Sequence, residues 1–398
     1  MLTIEKIRDA QKVLSGAAHR TDVIRARKIT NFCELWIKAE NLQRTGSFKL
    51  RGAYYKISKL TPEEKAKGVV ACSAGNHAQG VALAAAENGI RSLICLPAGA
   101  PISKVEATRS YGAEICLVPG VYDDAYARAL ALRDEYGYTF IHPFDDDDVI
   151  AGQGTIGLEI LEQLENVDAI IVPVGGGGLI SGVAFAVKAL APHVKVYGVQ
   201  AAGAPSMLNS LRDGHVETLP SVATIADGIA VKQPGENTYA YCKQFVNGIA
   251  TVNEEEIASA ILALLEQEKI VSEGAGSTAV AAVLAGKFPE LKGKKVCCIV
   301  SGGNIDVTIL SRVIDRGLLK SGRKCTLNME LPDKPGQLVS VLRIIAECGA
   351  NVYSVHHDHA YAGNDVVGCH LSVEIETRDF EHIKQIRSRF ESAGFHLI

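Results

Sequence analysis

The chain has 398 residues, of which 47% are hydrophobic and 22% charged, and its formal net charge is −4. This length is enough for two or three domains with a substantial core, and the composition is that of a folded protein rather than a disordered one. The small negative charge, without a block of basic residues, argues against nucleic-acid binding, and the apolar stretches are too short to span a membrane.

The N-terminus and the cysteines indicate the compartment. The first residues, MLTIEK, carry an acidic residue and are followed by no apolar segment, so no signal peptide is predicted. The ten cysteines form no C-x-x-C pair, and several lie in apolar, strand-like runs. Buried reduced thiols account for this pattern, which favours a cytoplasmic protein.

Strand-like and helical segments alternate from residue 4 to about residue 320. The predicted strands are Val69–Cys72, Ser92–Leu96, Glu114–Val118, Ala169–Val174, Lys195–Val199 and Lys295–Val300. The predicted helices between them include His77–Glu87, Lys104–Tyr111, Asp123–Tyr136, Leu158–Leu164, Glu254–Glu268 and Ser277–Leu284. This alternation indicates an α/β fold with parallel strands and helices on both faces, in which ligands bind beyond the carboxyl ends of the strands.

A short basic joint, Gly317–Lys324 (GLLKSGRK), marks a change of pattern. We therefore predict one domain over residues 1–320 and a second over residues 324–398. The second is predicted to have the order β-α-β-β-α-β and so to be an α+β module with helices on one face of its sheet. Its predicted elements are strand Cys325–Leu331, helix Gly336–Cys348, strands Val352–His359 and Val366–Ile375, helix Asp379–Ala393 and strand Phe395–Ile398.

Four consecutive glycines, Gly175, Gly176, Gly177 and Gly178, follow directly on the apolar strand AIIVPV. A strand that ends in such a turn and then enters a helix leaves backbone N–H groups free to bind a phosphate or carboxylate. A merely flexible turn is the alternative. We favour an anion-binding loop, because glycine is entropically costly and four in a row require a reason.

Two further segments place small polar groups between a strand and a helix. They are Ser73–Gly80 (SAGNHAQG) and Ser301–Asn304 (SGGN). Each could stabilise an anion at a helix N-terminus, or each could simply cap its helix. Three such turns in one sheet favour a common ligand.

Lys49 lies between Phe48 and Leu50, at the predicted start of a helix in the segment TGSFKLRGA. A lysine in apolar surroundings has a lowered pKa, and its neutral amine can attack a carbonyl carbon. The alternative is a surface lysine with its charge in water. Together with a phosphate-binding loop, Lys49 suggests a Schiff base with an aldehyde cofactor that carries a phosphate, and pyridoxal phosphate fits this description.

These four motifs, in this order, resemble those of the pyridoxal-phosphate threonine dehydratases (threonine ammonia-lyases) of medium length, which carry one C-terminal ACT regulatory domain. The resemblance covers nearly the whole chain. It implies a fold-type II catalytic domain like that of the tryptophan synthase β subunit, with parallel-rich sheets. It also implies a homo-oligomeric enzyme that converts L-threonine to 2-oxobutanoate and ammonia, with L-serine as a secondary substrate.

The resemblance also implies roles for single residues. Lys49 would bond to the cofactor aldehyde and accept the proton from the substrate Cα, with Phe48 beside it. The other implied contacts are Asn76 with the cofactor 3′-oxygen, Gly175–Gly178 and Leu179 with the phosphate, Ser301 with the ring nitrogen, and Ser73, Asn76 and His77 with the substrate carboxylate. In this family the leaving hydroxyl is thought to be protonated by the cofactor phosphate, so no protein acid is required.

Other candidate residues have less specific signals. His77 could be a general base, but Lys49 already supplies one, so we favour a binding or packing role. Asp145–Asp148 could hold a cation, but a solvated loop is the commoner explanation. Serine racemase-like relatives bind a divalent cation with carboxylates at two positions that are Gln200 and Ser206 here, on either side of Ala204, so no metal is predicted there.

The same relatives bear on the alternative activity. Serine racemases use a serine as second base where this chain has Ala74, and alanine cannot return a proton to the opposite face. A different fold-type II pyridoxal enzyme and a catalytically inactive amino-acid sensor remain alternatives.

In the C-terminal module, Leu331–Leu338 (LPDKPGQL) resembles the loop of an ACT domain after its first strand. Such domains usually pair and bind amino acids at their interface, so Asp333, Gly336 and Leu338 are the predicted effector contacts. His356, His357, His359 and His370 could also suggest a metal site. Since nothing else in the sequence completes a set of ligands, we favour solvated or packed histidines. Feedback by isoleucine would indicate a role in isoleucine biosynthesis.

Overall fold

The computed structural model describes residues 1–359 and 368–398. Contacts divide the chain into two compact units, Met1–Asp306 and Val307–Ile398. The division precedes the basic joint predicted from the sequence, because the helix that leads into the joint groups with the C-terminal unit. The assignment of residues 324–398 as a regulatory domain stays a prediction.

The first unit alternates helices and strands along most of its length. Its strands are β1 (Val23–Arg25), β2 (Glu34–Ala39), β3 (Val69–Cys72), β4 (Ser92–Pro97), β5 (Glu114–Val118), β6 (Thr139–Phe140), β7 (Ala169–Pro173), β8 (Lys195–Ala201), β9 (Gly248–Val252) and β10 (Lys295–Val300). Its helices are α1 (Ile4–Leu14), α2 (Lys49–Ser58), α3 (Pro62–Lys67), α4 (Asn76–Glu87), α5 (Ile102–Ser110), α6 (Tyr122–Tyr136), α7 (Asp147–Gln163), α8 (Gly178–Leu190), α9 (Ser206–Asp213), α10 (Glu236–Phe245), α11 (Glu254–Ala263) and α12 (Gly274–Leu284).

These strands form two sheets, which confirms the predicted parallel-rich α/β fold but corrects the expectation that the three polar turns share one sheet. The larger sheet has the order β1-β2-β10-β7-β8-β9, and the smaller has the order β5-β4-β3-β6. All neighbouring strands are parallel except the pair β1 and β2. The glycine loop and the SGGN turn follow β7 and β10 of the larger sheet, whereas the SAGN turn follows β3 of the smaller one.

The strands of both sheets are buried because both faces carry helices. Ile170, Val172 and Ile180 belong to the core of the larger sheet, and Val69 and Ile94 to that of the smaller one. Continuous apolar runs are typical of parallel strands covered on both faces. This is why the sequence identified them.

A buried ion network ties β2, α2 and α7 together. The Arg51 guanidinium donates to Glu40 Oε1 at 2.8 Å and to Glu159 Oε1 at 2.6 Å, and Lys38 Nζ lies 2.6 Å from Glu159 Oε2. Arg51 is 1% exposed. The charges compensate one another, which is the condition under which such groups can be buried.

Helix α7 is much longer than the predicted helix Leu158–Leu164 and includes most of the carboxylate run. The Asp146 side chain caps it by accepting from the N–H groups of Asp148 and Val149. Asp147 accepts from Tyr241, and Asp148 lies 2.7 Å from Lys6 Nζ. The expectation of a solvated loop is therefore wrong, since carboxylates near a helix N-terminus are stabilised by the helix dipole.

The second unit contains α13 (Val307–Lys320), β11 (Lys324–Pro332), α14 (Gln337–Glu347), β12 (Asn351–Asp358), β13 (Gly368–Glu376) and α15 (Phe380–Ser392). Its strands are antiparallel, in the order β11-β13-β12. Their core includes Leu327, Leu371, Ile386 and Phe390. This arrangement is compatible with an ACT-like module.

Two predictions for this unit need comment. The terminal strand Phe395–Ile398 is wrong, because the described chain makes a single bridge there, between Met329 and Leu397. The first two residues of the predicted strand Val366–Ile375 lie outside the described residues.

Among the described residues, no helix combines the length and the apolar character that crossing a membrane requires.

Candidate functional site

The glycine loop is closely packed, so a merely flexible turn does not explain it. A Cβ added to Gly176 would lie 2.4 Å from Cδ1 of Phe144, and one on Gly178 would lie 2.9 Å from Phe144 Cα. Gly177 has φ +98° and caps α8. Such a φ is unfavourable for other residues, and real Cβ atoms do not approach other atoms so closely.

The loop presents its N–H groups without internal partners. Among the described residues, none of the N–H groups from Gly175 to Leu179 has a hydrogen-bond acceptor. By contrast, the Gly176 carbonyl accepts from the Thr238 hydroxyl at 2.6 Å. Free N–H groups at the start of α8, a buried helix, are suited to an anion.

Lys49 begins α2 and turns towards the segment that carries Phe144. Its Nζ donates to the Pro143 carbonyl at 2.8 Å and lies 5.3 Å from the centre of the Phe48 ring. Burial lowers the pKa of Lys49 to about 8, and the negative charge of Glu273 partly opposes this shift. Pro143 and Phe144 are neighbours, so Lys49 and the glycine loop contact the same short segment.

Asn76 lies at the start of α4 in a fixed orientation. Its Nδ2 donates to Glu273 Oε1 at 2.6 Å, and its Oδ1 accepts from Asn304 Nδ2 at 2.7 Å. Asn304 Nδ2 also donates to the Thr45 carbonyl at 2.8 Å. The side chain of Asn76 therefore has one N–H left for another partner.

Glu273 was not predicted from the sequence, yet it belongs to this group. Burial and the nearby Asp227 raise the pKa of this carboxyl to about 7, while the hydrogen bond from Asn76 opposes the shift. A carboxyl with a pKa near 7, close to a lysine, is the kind of perturbed group that marks functional sites. One signal in the sequence could have identified it: Glu273 is an isolated acidic residue, in SEGAGS, directly before the apolar helix α12.

Ser301 joins the end of β10 to the segment that precedes Lys49. Its carbonyl accepts from the Phe48 N–H at 3.1 Å, and Ser47 forms a bridge with Gly302. Ser301 is 3% exposed. A Cβ on Gly302 would lie 2.4 Å from Glu273 Oε1, so a larger residue there would displace the carboxylate that accepts from Asn76. Local contacts thus link Lys49, Asn76 and Ser301.

The other residues of the SAGNHAQG turn have different surroundings. The Ser73 hydroxyl accepts from the Gly75 N–H at 3.1 Å. His77 is buried, and its Nε2 donates to the Ile141 carbonyl at 2.8 Å. Burial, with a contribution from Lys49, lowers the pKa of His77 to about 3. Such a low pKa makes the imidazole a weak proton acceptor, which favours a packing role over that of a general base.

Leu179 is buried in the core of the larger sheet, so only its backbone is available to a ligand. At the positions considered for a cation, Gln200 Oε1 accepts from the Leu208 N–H. Gln200 Nε2 and the Ser206 hydroxyl have no partner among the described residues. An amide nitrogen is not a cation ligand, and these positions offer no carboxylate, so they do not form an oxygen-rich cation site.

The predicted effector residues lie at the start of α14. Gly336 has φ +92° and caps this helix, and Leu338 packs against the core of the unit. Asp333 Oδ2 lies 3.2 Å from His359 Nδ1. Asp333 also groups with His357 and Cys369. Of the four histidines, His357 therefore has two further potential ligands beside it, which the sequence alone did not indicate.

Comparisons with known proteins agree with this geometry. The family described as pyridoxal-phosphate dependent enzyme matches residues 14–302. The L-threonine ammonia-lyase of Thermotoga maritima is 49% identical over all of this chain and 99% of its own length. Among solved structures, the processed form of threonine deaminase isoform 2 from Solanum lycopersicum is 39% identical, with a TM-score of 0.76 over 79% of this chain and 88% of its own. Maize serine racemase is 37% identical, with a TM-score of 0.75 over 80% of this chain and 98% of its own.

The residues present fit a phosphate-bearing aldehyde. The unpartnered N–H groups of the glycine loop suit the phosphate, and a Cβ at Gly176 would fill the space beside Phe144. Lys49 supplies a primary amine with a lowered pKa near the same segment. The match over residues 14–302 places the chain in the family of pyridoxal-phosphate dependent enzymes, and pyridoxal phosphate is its cofactor.

Proposed function

We propose that this enzyme deaminates L-threonine by β-elimination of water, giving 2-oxobutanoate and ammonia. The observation that carries the proposal is the position of Lys49, a lysine with a lowered pKa between the segment of Phe144 and the Asn76–Glu273 pair. The name of the Thermotoga maritima relative, L-threonine ammonia-lyase, supports the choice of reaction, since that protein is similar over its whole length.

The cofactor would be held by groups that the fold orients in advance. The N–H groups from Gly175 to Leu179 would bind the phosphate, and the remaining N–H of Asn76 would donate to the 3′-oxygen. The Ser301 hydroxyl would face the ring nitrogen. When bound, pyridoxal phosphate supplies an aldehyde that bonds to amines and a ring that withdraws electrons from the substrate Cα.

Lys49 Nζ would move the proton in this reaction. Its pKa of about 8 makes the neutral amine accessible near physiological pH, so Nζ can accept a proton from the substrate Cα. His77 is poorly suited to share this task, because a pKa of about 3 makes its free Nδ1 a weak base. Elimination needs a proton to be removed from one face only, which a single base provides.

The substrate carboxylate would bind at the start of α4. The backbone N–H groups of Asn76 and His77 belong to the first turn of this helix, where an anion is favoured. The Ser73 hydroxyl lies in the same turn. His77 would therefore contribute through its backbone, while its ring keeps the turn packed against Ile141.

Racemisation is the second candidate, and similarity to maize serine racemase favours testing it. A racemase needs a second base on the opposite face of the substrate Cα. Ala74 occupies the position that the racemases give to a serine, and a methyl group cannot transfer a proton. We therefore expect ammonia and a 2-oxo acid rather than D-amino acid.

The test is a product assay on the purified full-length protein with pyridoxal phosphate. L-threonine should yield equal amounts of 2-oxobutanoate and ammonia, and L-serine should yield pyruvate more slowly. Lys49→Ala should reduce turnover about 10²–10⁴-fold. Lys67→Ala, at an exposed lysine of α3, is the matched control and should retain turnover.

Three results would contradict the proposal. Full turnover in Lys49→Ala would remove Lys49 from the reaction. D-amino acid as the main product would favour the racemase, and cofactor binding without any turnover would favour an inactive amino-acid sensor.

We further propose that residues 324–398 are an ACT regulatory domain of a cytoplasmic homo-oligomer. The antiparallel sheet with α14 and α15 supports this, as does similarity to the Thermotoga maritima relative over the whole chain. Asp333, Gly336 and Leu338 would contact an amino-acid effector. Threonine saturation curves with and without isoleucine test this proposal, and a shift would indicate a role in isoleucine biosynthesis. An unchanged curve with isoleucine and with valine would contradict it.

A further inference from the structure

A group of potential metal ligands lies at one end of the sheet in the second unit. One ligand atom each of Asp333, His357 and Cys369 lies within 4.8 Å of the others. Asp333 follows β11, His357 is on β12 and Cys369 is on β13. The group therefore combines residues that are distant in sequence, which the pairing of the strands brings together.

The pairing of the strands explains why these side chains meet. Cys369 pairs with Leu331 on β11, and His357 pairs with Leu371 on β13. Residues two apart on a strand share a face, so Cys369 and Leu371 lie on one face, and His357 joins them. Leu331, Cys369 and Leu371 are buried in the core of this unit. The three potential ligands therefore lie at the edge of the apolar core of this unit.

The types of donor atom point to a particular class of metal. A thiolate, an imidazole and a carboxylate are the ligands of zinc and similar borderline-soft ions, whereas calcium and magnesium prefer oxygen alone. Tetrahedral coordination at bond lengths of about 2.0–2.3 Å separates ligand atoms by about 3.3–3.8 Å. Ligand atoms within 4.8 Å of one another therefore need only small side-chain movements to reach this geometry.

We propose that Asp333, His357 and Cys369 form a binding site for a divalent transition-metal ion of the zinc class. This site goes beyond the reaction proposed for Lys49 and does not depend on it. A bound ion would connect the segment after β11 to both β12 and β13, and would stabilise this end of the unit.

His359 is suited to a supporting position. Its Nδ1 lies 3.2 Å from Asp333 Oδ2, and its ring centre lies 4.7 Å from that of His357. A histidine beside a ligating carboxylate can hold it in orientation or become the fourth ligand. Asp333 and His359 are both exposed, so an ion can reach the site from solvent.

Cys369 is the diagnostic residue. It is buried, and its Sγ lies 3.4 Å from the Leu331 carbonyl. Asp333 also lies in the predicted effector loop, so a change there would confuse metal binding with effector binding. Cys369→Ser keeps nearly the same shape but removes the sulfur, which tests the metal alone.

The experiment uses full-length protein with its cofactor, freed of metal by a chelator and then titrated with Co²⁺ as a spectroscopic substitute for Zn²⁺. We expect one equivalent of Co²⁺ to bind, with a sulfur-to-cobalt charge-transfer band and the visible bands of tetrahedral Co²⁺. Zn²⁺ should displace it. Cys369→Ser should abolish the charge-transfer band, and both Cys369→Ser and His357→Ala should weaken binding at least about tenfold.

Matched controls come from the other face of the same strands. His356→Ala and His370→Ala change neighbouring histidines that alternate with His357 and Cys369, so they should leave Co²⁺ binding unchanged. Circular dichroism identifies variants that fail to fold. Should Cys369→Ser be one of them, Asp333→Asn, at an exposed position, must also weaken Co²⁺ binding.

Specific outcomes would overturn the proposal. They are no uptake of Co²⁺ or Zn²⁺ by the unaltered protein, a Co²⁺ spectrum without a sulfur contribution, or equal binding by the folded His357→Ala and His356→Ala variants.

Discussion

The candidate functional groups of the two units lie in opposite environments. In the first unit, Arg51 and Glu273 are buried and Lys49 is partly buried, and desolvation shifts the pKa of the lysine and of the Glu273 carboxyl. In the second, Asp333 and His359 form an exposed pair, with side chains 51% and 60% accessible. In the first unit, the polar side chains are held by hydrogen bonds and ion pairs with one another. In the second, the exposed group around Asp333 could be held by a bound metal ion.

This difference has an energetic consequence that arginine variants can measure. Arg51→Met removes the cation between Glu40 and Glu159, which leaves the buried Glu40 without its salt bridge and Glu159 with Lys38 alone. Breaking a buried pair in this way costs about 3–5 kcal/mol. Chemical denaturation monitored on the first unit should show a loss of unfolding free energy of this size.

The matched control is an exposed arginine in the second unit. Arg389 lies 3.5 Å from Glu347, and both side chains are more than half accessible. Exposed ion pairs contribute about 0–1 kcal/mol, so Arg389→Met should hardly change stability. Similar losses in the two variants would contradict the contrast between the units.

A second prediction concerns the packing of the glycine loop. Gly176→Ala places a Cβ 2.4 Å from the Phe144 ring, so the loop or the ring must move. Overpacking of this kind costs about 1–3 kcal/mol, which the folded unit should tolerate. The N–H groups would lose their alignment, and we expect cofactor affinity to fall before the fold is lost. Equilibrium binding of pyridoxal phosphate and circular dichroism separate the two effects.

Gly99→Ala is the corresponding control, because a Cβ at Gly99 has no neighbour within 4 Å. Its cofactor affinity should equal that of the unaltered protein. Normal cofactor binding by Gly176→Ala would contradict the prediction that close packing at Gly176 is needed to align the loop.

The sequence predicted those parts of the site that lie within single motifs. Gly175–Gly178, Asn76 and Ser301 lie shortly after apolar strands, and such strands are recognisable because both of their faces are buried. The position of Lys49 beside apolar neighbours was equally local. The structure adds the contacts that bring these separate motifs together.

The sequence did not predict groups that only tertiary structure assembles. Glu273 belongs to a different motif from Asn76, and no periodicity signals that they meet. The same holds for Asp333, His357 and Cys369, which come from three elements of the antiparallel sheet. Strands such as β1 and β6 were missed because they are too short to show a clear alternation of apolar and polar residues.

The low pKa of Lys49 makes a third prediction about the interior site. Burial disfavours the ammonium form, so the share of neutral amine rises with pH and levels off above about 8. The rate at which the apoprotein captures pyridoxal phosphate should follow this share, rising about tenfold per pH unit below the midpoint. Stopped-flow absorbance of the bound cofactor measures it. A rate that still rises steeply at pH 10, as for a lysine in water, would mean that Lys49 is not desolvated.

Glu273→Gln gives the smallest and most specific effect. The glutamine oxygen can still accept from Asn76, so the contact is kept while the charge is removed. The negative charge of Glu273 raises the pKa of Lys49, and its loss should therefore lower that pKa further. The midpoint for cofactor capture should move to lower pH. A midpoint that stays in place would mean that Glu273 is already protonated when Lys49 titrates, and a midpoint that rises would contradict the attraction between the two groups.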